Sequence, residues 1–99
     1  MSSRRFILIT GYFKNPPDSD ALEEALGKGL DWIQYASNCW LVWTSSSSDK
    51  WYGRFKPALK TGDRIFICEL NIEKRSGWMP RSFWKFIQEH ETETVSAET

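Results

Sequence analysis

Apolar residues along the chain recur with two spacings, one of two residues and one of three to four. The first marks strands and the second marks helices. Arg5-Phe-Ile-Leu-Ile-Thr-Gly11 is short, β-branched and bounded by glycine, which predicts a first strand. Asn15-Pro-Pro-Asp-Ser19 is a turn-rich loop. A helix follows, with Asp20 as its expected N-cap and Glu23 three positions on. Its apolar face is Ala21, Leu22, Ala25, Leu26 and Leu30, and Gly27 and Gly29 weaken its end. Asp31-Trp-Ile-Gln-Tyr-Ala36 and Cys39-Trp-Leu-Val-Trp-Thr44 are strand-like runs joined across Ser37-Asn38, a two-residue hairpin connection. Ser48 or Asp49 caps a second helix, with Trp51, Phe55 and Leu59 at i, i+4 and i+8 and Pro57 to end or bend it near Lys56. Arg64-Ile-Phe-Ile-Cys-Glu-Leu70 is a fourth strand after a Thr61-Gly62-Asp63 turn. Pro80 opens a third helix with Phe83, Trp84 and Ile87 on one face.

The resulting order is β-α-β-β-α-β plus a helix. That is the α+β, ferredoxin-like pattern, the split βαβ, here with an extra C-terminal helix. A sheet with helices on one face alone alternates apolar and polar residues. These strands do not alternate. Phe6 and Leu8 stand between Ile7 and Ile9, Trp40 and Val42 between Leu41 and Trp43, and Phe66, Cys68 and Leu70 beside Ile65 and Ile67. Something must therefore cover a second apolar face: another subunit, the C-terminal helix, or single-stranded nucleic acid stacked on the aromatics. A homodimer is the commonest solution and the one expected here.

Composition sharpens this picture. The chain has 99 residues, enough for one domain, which is expected over residues 1–90. Aromatic residues make up 15%, with six Trp, more than one small core needs. No apolar run is long enough to span a membrane, and the four apolar residues near the N-terminus are too few for a signal peptide, so a cytoplasmic location is expected. The formal charge is zero, with 13 basic and 13 acidic side chains, but they are unevenly placed. Residues 50–88 hold nine basic and three acidic groups, whereas residues 89–99 hold four acidic groups and no basic one. The segment 91–99 reads as an acidic, disordered tail.

The chemistry available is mostly that of binding. His90 is the single histidine and Cys39 and Cys68 are 29 positions apart, which makes neither a nucleophile–base pair nor a zinc motif. The thiols are expected to be buried and free. There is no glycine-rich phosphate loop, so no cofactor, catalytic residue or metal ligand is assigned. Asp31, Asp63 and Glu69 lie beside strands, where turn and edge roles account for them. Lys50, Arg54, Lys56, Lys60, Lys74 and Arg75 are the candidate nucleic-acid-binding residues, since cations meet phosphates. Trp78, Phe83 and Trp84 could cap the core or stack bases. Trp40 and Trp43 are three apart on one strand, so they face opposite sides and cannot form one RNA-stacking platform.

Several runs in order resemble a known group. They are Asp31-Trp-Ile-Gln-Tyr-Ala-Ser-Asn-Cys-Trp-Leu-Val-Trp-Thr44, Lys56-Pro57, Asp63-Arg-Ile-Phe-Ile67, and Gly77-Trp-Met-Pro80 with Phe83-Trp84, together with strand one and Lys14-Asn15-Pro16. The group is the small bacterial SinR-like proteins, related to the CRISPR-associated Cas-two subunits and to VapD. The resemblance spans roughly residues 5–90 and implies a ferredoxin-like homodimer. Catalytic relatives carry an Asp at the end of strand one, one from each subunit, proposed to hold a metal for phosphodiester cleavage. Here the run is Thr10-Gly11-Tyr12-Phe13, with Tyr12 in that place, and a phenol cannot replace a carboxylate on magnesium. The resemblance thus implies a non-catalytic, dimeric protein that binds double-stranded nucleic acid or serves as a scaffold for a protein partner. The alternative is a metal-dependent nuclease with relocated ligands.

Overall fold

The computed structural model describes residues 3–98, with side chains over residues 3–91. The elements run β1 (Arg5–Tyr12), α1 (Ser19–Leu26), β2 (Asp31–Ala36), β3 (Cys39–Thr44), α2 (Ser48–Phe55), a 3-10 turn (Lys56–Ala58), β4 (Arg64–Leu70) and α3 (Arg81–Glu98). The four strands form one sheet in the order β2-β3-β1-β4, with every neighbouring pair antiparallel. The protein is therefore α+β, with β1 and β3 central and β2 and β4 at the edges.

Helix caps decide where the helices begin. Asp18, not Asp20, caps α1; its Oδ1 accepts from the backbone N–H groups of Asp20 and Ala21. The helix stops at Leu26, so Leu30 falls beyond it and is 54% exposed instead of sharing the core face. Gly29 then runs so close under the sheet that a Cβ there would sit 2.8 Å from Val42 Cγ1. Ser47, one residue before the expected cap, accepts from Lys50 N–H at the start of α2. Pro57 does end that helix, and the chain tightens into the 3-10 turn. The hairpin between β2 and β3 turns on Asn38, whose φ of 56° is the left-handed value such a short connection requires. The strand β1 extends one residue past Gly11, because Tyr12 still pairs with Arg64.

Two apolar clusters lie on opposite faces of the sheet. On the first face Ile7, Ile9, Trp40 and Val42 pack under Leu22, Ala25 and Leu26 of α1 and Trp51 and Phe55 of α2. On the second face Phe6, Leu41 and Trp43 pack under Phe86 and Ile87 of α3, with Phe83 and Trp84 alongside. The C-terminal helix is thus a cover for the second face, one of the three expected from the sequence. It also explains most of the tryptophan surplus: two cores are being filled. Backbone helix continues to Glu98, while the acidic tail expected over residues 91–99 has its side chains, after Glu91, outside the described residues. No described helix is long and apolar enough to cross a membrane.

Candidate functional site

The α3 cover is partial. By strand register the second face also carries Leu8, Thr10 and Tyr12 of β1 opposite Cys68, Phe66 and Arg64 of β4. Tyr12 and Phe66 are 60% and 61% exposed, and Leu8 and Cys68 are half-buried. This β1–β4 half of the face presents an apolar strip beside an edge strand, the arrangement that favours association. Cys39 and Cys68 are free and half-buried, not fully buried as expected, because both point to this less protected face.

The six basic residues do not form one surface. Lys50 and Lys56 are exposed on α2 and the turn after it, and Lys60 follows in the next loop, all on the layer that covers the first face. Arg54 belongs to the same element but is half-buried. Its Nη2 donates to Ser46 Oγ at 3.1 Å, and its guanidinium lies over the Trp51 ring at 4.7 Å. Lys74 and Arg75 sit in the loop before α3, beside the opposite face. Arg75 holds Glu91 of α3 through two hydrogen bonds of 2.8 and 3.1 Å and also donates to the Ile72 carbonyl. That pairing raises the Arg75 pKa and holds the Glu91 carboxyl below the ordinary carboxylate value. Lys50, Lys56 and Lys60 are thus the group that the fold brings to one layer, while Arg54 and Arg75 are engaged within the protein.

The acidic candidates are also engaged locally. Asp63 Oδ2 accepts from Lys60 N–H at 2.9 Å and Oδ1 from Lys14 N–H at 3.0 Å, so it ties its own turn to the end of β1. Gly62 supports that turn with a φ of 93°. Glu69 pairs with Arg5 at 3.4 Å. Asp31 opens β2, where its Oδ1 accepts from Trp32 N–H. Its other oxygen, Oδ2, lies 2.9 Å from His90 Nε2. His90 is buried, stacked on Trp43 with centroids 5.2 Å apart, and it fastens α3 to the strand edge. Sequence reasoning placed it beside a frayed tail and missed this. The signal available was its position four residues after Phe86, on the face that Phe83, Phe86 and Ile87 bury. Among the described residues no group of three or more His, Cys, Asp or Glu side chains gathers where a metal ion could bind.

The exposed aromatics also separate. Phe83 and Trp84 pack into the second cluster, Phe83 edge-on to Tyr35 at 5.3 Å. Trp78 stands apart from them at 98% exposed. Burial and then the neighbouring Cys39 raise the Tyr35 phenol pKa above its ordinary value.

Compared with known proteins, the chain matches no family model, no curated protein and no solved structure.

Proposed function

We propose that this protein is a non-catalytic, homodimeric binding module of ferredoxin-like topology, similar to the SinR-like group, which contacts double-stranded nucleic acid through the α2 layer. The observation that carries the reading is the uncovered β1–β4 half of the second face. A second copy laid over Leu8, Tyr12, Phe66 and Cys68 would remove that strip from water, and a two-fold axis there would present Lys50, Lys56 and Lys60 twice. The element order and the β2-β3-β1-β4 strand order support the ferredoxin-like assignment. Tyr12 at the end of β1, and the turn and ion-pair duties of Asp63 and Glu69, support the non-catalytic part.

Light scattering at micromolar concentration should give about twice the 11.6 kDa chain mass. Phe66→Arg should halve it without unfolding the protein. A wild-type monomer overturns the dimer. Fluorescence titration of a DNA duplex should show binding that falls with salt by a slope of about −0.9 per phosphate neutralised. Lys50→Glu with Lys56→Glu should abolish it. Equal binding by both proteins, or none by wild type at low salt, removes nucleic acid and leaves a scaffold role for a protein partner. Cleavage of the duplex that chelation stops would instead favour the relocated-ligand nuclease.

A further inference from the structure

The strand β4 is an edge of the sheet, and the directions of its backbone groups follow from its neighbours. In an antiparallel ladder the N–H and C=O of one residue point to one side, and those of the next residue to the other. Gly11 donates its N–H to the Asn38 carbonyl at 2.9 Å, so Gly11, Ile9 and Ile7 turn their backbone groups toward β3. Tyr12, Thr10, Leu8 and Phe6 therefore turn theirs toward Arg64, Phe66, Cys68 and Leu70 of β4. Trp43 fits the same phase: it stands opposite Phe6, and its carbonyl accepts from Leu30 N–H on the β2 side. The backbone groups of Ile65, Ile67 and Glu69 are left pointing away from the sheet. Glu69 C=O accepts from Cys68 Sγ at 3.4 Å; among the described residues nothing takes up those of Ile65 and Ile67.

Native sheets blunt such an edge with a charge, a proline or a bulge. The other edge, β2, opens on Asp31 and shifts register between Gln34 and Ala36. In contrast, β4 pairs without interruption from Arg64 to Leu70, and Ile65-Phe66-Ile67-Cys68 carries no charge. Beside this stretch lies a groove of about 280 Å³ between β4 and the start of α2, lined by Ser48, Asp49, Tyr52, Ile65, Phe66 and Ile67. Sites that enclose a small molecule run to about 300–1000 Å³, so this groove suits the side chains of an added strand better.

Charge selects the occupant. Asp49 is the one charged residue of the wall and, among the described residues, makes no ion pair; its neighbour Lys50 and the strand residue Arg64 do not line the groove. On the α2 side of the sheet, β4 of a second copy would bring Ile65, Ile67 and Glu69, and β2 has Asp31 and no cation. Residues 91–99 hold three acidic groups and no basic one. Neither a second copy nor the chain's own end complements Asp49. We infer that the β4 edge takes an extended peptide segment of another protein as a fifth, antiparallel strand. The peptide main chain exchanges hydrogen bonds with Ile65 and Ile67, its alternate aliphatic side chains lie in the groove against Tyr52, and a Lys or Arg on the same side meets Asp49. The strip assigned above to a second copy is on the opposite face, so this edge stays open in that dimer.

The test is NMR titration of the ¹⁵N-labelled full chain with the peptide acetyl-Lys-Thr-Val-Thr-Val-Thr-Lys-amide, whose lysines and valines share one side. The Ile65 and Ile67 amides should shift saturably and exchange more slowly with solvent. N-methylation of both valines removes the N–H groups that face β4 and should abolish binding, whereas N-methylation of the central threonine should leave it. Glutamine in place of both lysines should weaken binding about threefold, the scale of an exposed ion pair. Asp49→Asn should bring the lysine peptide down to that same level and leave the glutamine peptide unchanged. Unmoved Ile65 and Ile67 amides overturn the inference, and so does equal binding of the valine-methylated peptide. Shifts confined to Leu8, Tyr12 and Phe66 would move the peptide to the second face and overturn the edge site. Protection of Ile65 and Ile67 that rises with protein concentration alone would give the edge to a second copy. Peptide binding by a chain that light scattering finds monomeric keeps this inference and drops the dimer.

Discussion

On one face of the sheet, Ile7, Ile9, Trp40 and Val42 lie under two helices; on the other, Phe6, Leu41 and Trp43 lie under one. Both faces carry buried aromatic and aliphatic residues, yet on the second the stretch from Leu8 to Tyr12 and its β4 partners from Cys68 to Arg64 stays uncovered, while Phe6 and Leu70 at the other end join the cluster. The difference follows from connectivity. The helices α1 and α2 are crossovers, each held at both ends by strands of the sheet. The helix α3 follows the last strand, so it is held at one end by the chain and elsewhere by side chains alone. Those are the apolar packing of Phe86 and Ile87 on Phe6, Leu41 and Trp43, the ring stack of His90 on Trp43, the contact of His90 with Asp31, and the Arg75–Glu91 pair. A face covered by crossovers is part of the folding unit. A face covered by a terminal helix can open locally, and its leftover strip is free for another molecule.

The hardest way to break the contrast is to cut into the first face. Trp51 is fully buried and its Nε1 donates to Thr44 Oγ1 at 3.2 Å. Trp51→Ala should cost about 3–5 kcal/mol, enough to unfold much of a small domain, as read by urea denaturation. A loss below about 1 kcal/mol would mean that the first face is not the structural core. On the second face, Phe86→Ala should cost less, about 2–3 kcal/mol, because a helix held at one end can settle into the gap. Hydrogen exchange sharpens the same point: α3 amides should exchange before those of α1 and α2 in the unmutated protein. Equal protection in all three helices would show that α3 belongs to the same cooperative unit.

The contrast was partly legible in the sequence. The bounds of β2, β3 and β4 follow from β-branched and aromatic runs between turn residues, and the structure places them at Asp31–Ala36, Cys39–Thr44 and Arg64–Leu70. The two-faced character of the sheet was also visible, because alternation fails in three strands. The choice between a helix and a partner as the cover was not. It depends on where α3 turns after Pro80, and that is decided by tertiary contacts such as His90 with Asp31, 59 positions apart. Cap positions were off by one or two residues because Asp18, Ser19 and Asp20, or Ser47, Ser48 and Asp49, all have side chains able to cap; backbone geometry selects among them. The basic residues were legible as charges but not as surfaces, since a count of cations cannot show that Arg54 and Arg75 are already engaged.

A smaller effect is expected at the fastening of α3 to β2. Asp31→Ala leaves His90 packed on Trp43 but removes its 2.9 Å partner. Because Asp31 is half-exposed, the cost should be about 1 kcal/mol, not the larger value of a buried charged pair. Exchange of α3 amides should quicken while α1 amides hold. If both change equally, the contact stabilises the whole protein and α3 is not separately hinged.

The smallest expected effect is at Arg75 and Glu91, which tie the loop before α3 to the helix across solvent. Both side chains are substantially exposed, so Arg75→Gln should cost only about 0.5 kcal/mol despite the two-pronged geometry. Its pH dependence identifies the source. The pairing with Arg75 lowers the Glu91 pKa in the folded state. The stabilisation is therefore present at pH values above the ordinary carboxylate pKa. It is lost as pH falls through the folded-state value, when Glu91 takes up a proton and Arg75 stays charged. Urea midpoints of the wild type and Arg75→Gln should differ most at neutral pH and converge in acid. A residual gap is expected there, because the hydrogen bond from Arg75 to the Ile72 carbonyl does not titrate. High salt at neutral pH should also narrow the difference, since the pair is open to counterions. A gap that is constant across pH and salt would assign the effect of Arg75 to the loop carbonyl alone, and α3 would then be held by His90 and apolar packing without help from this pair.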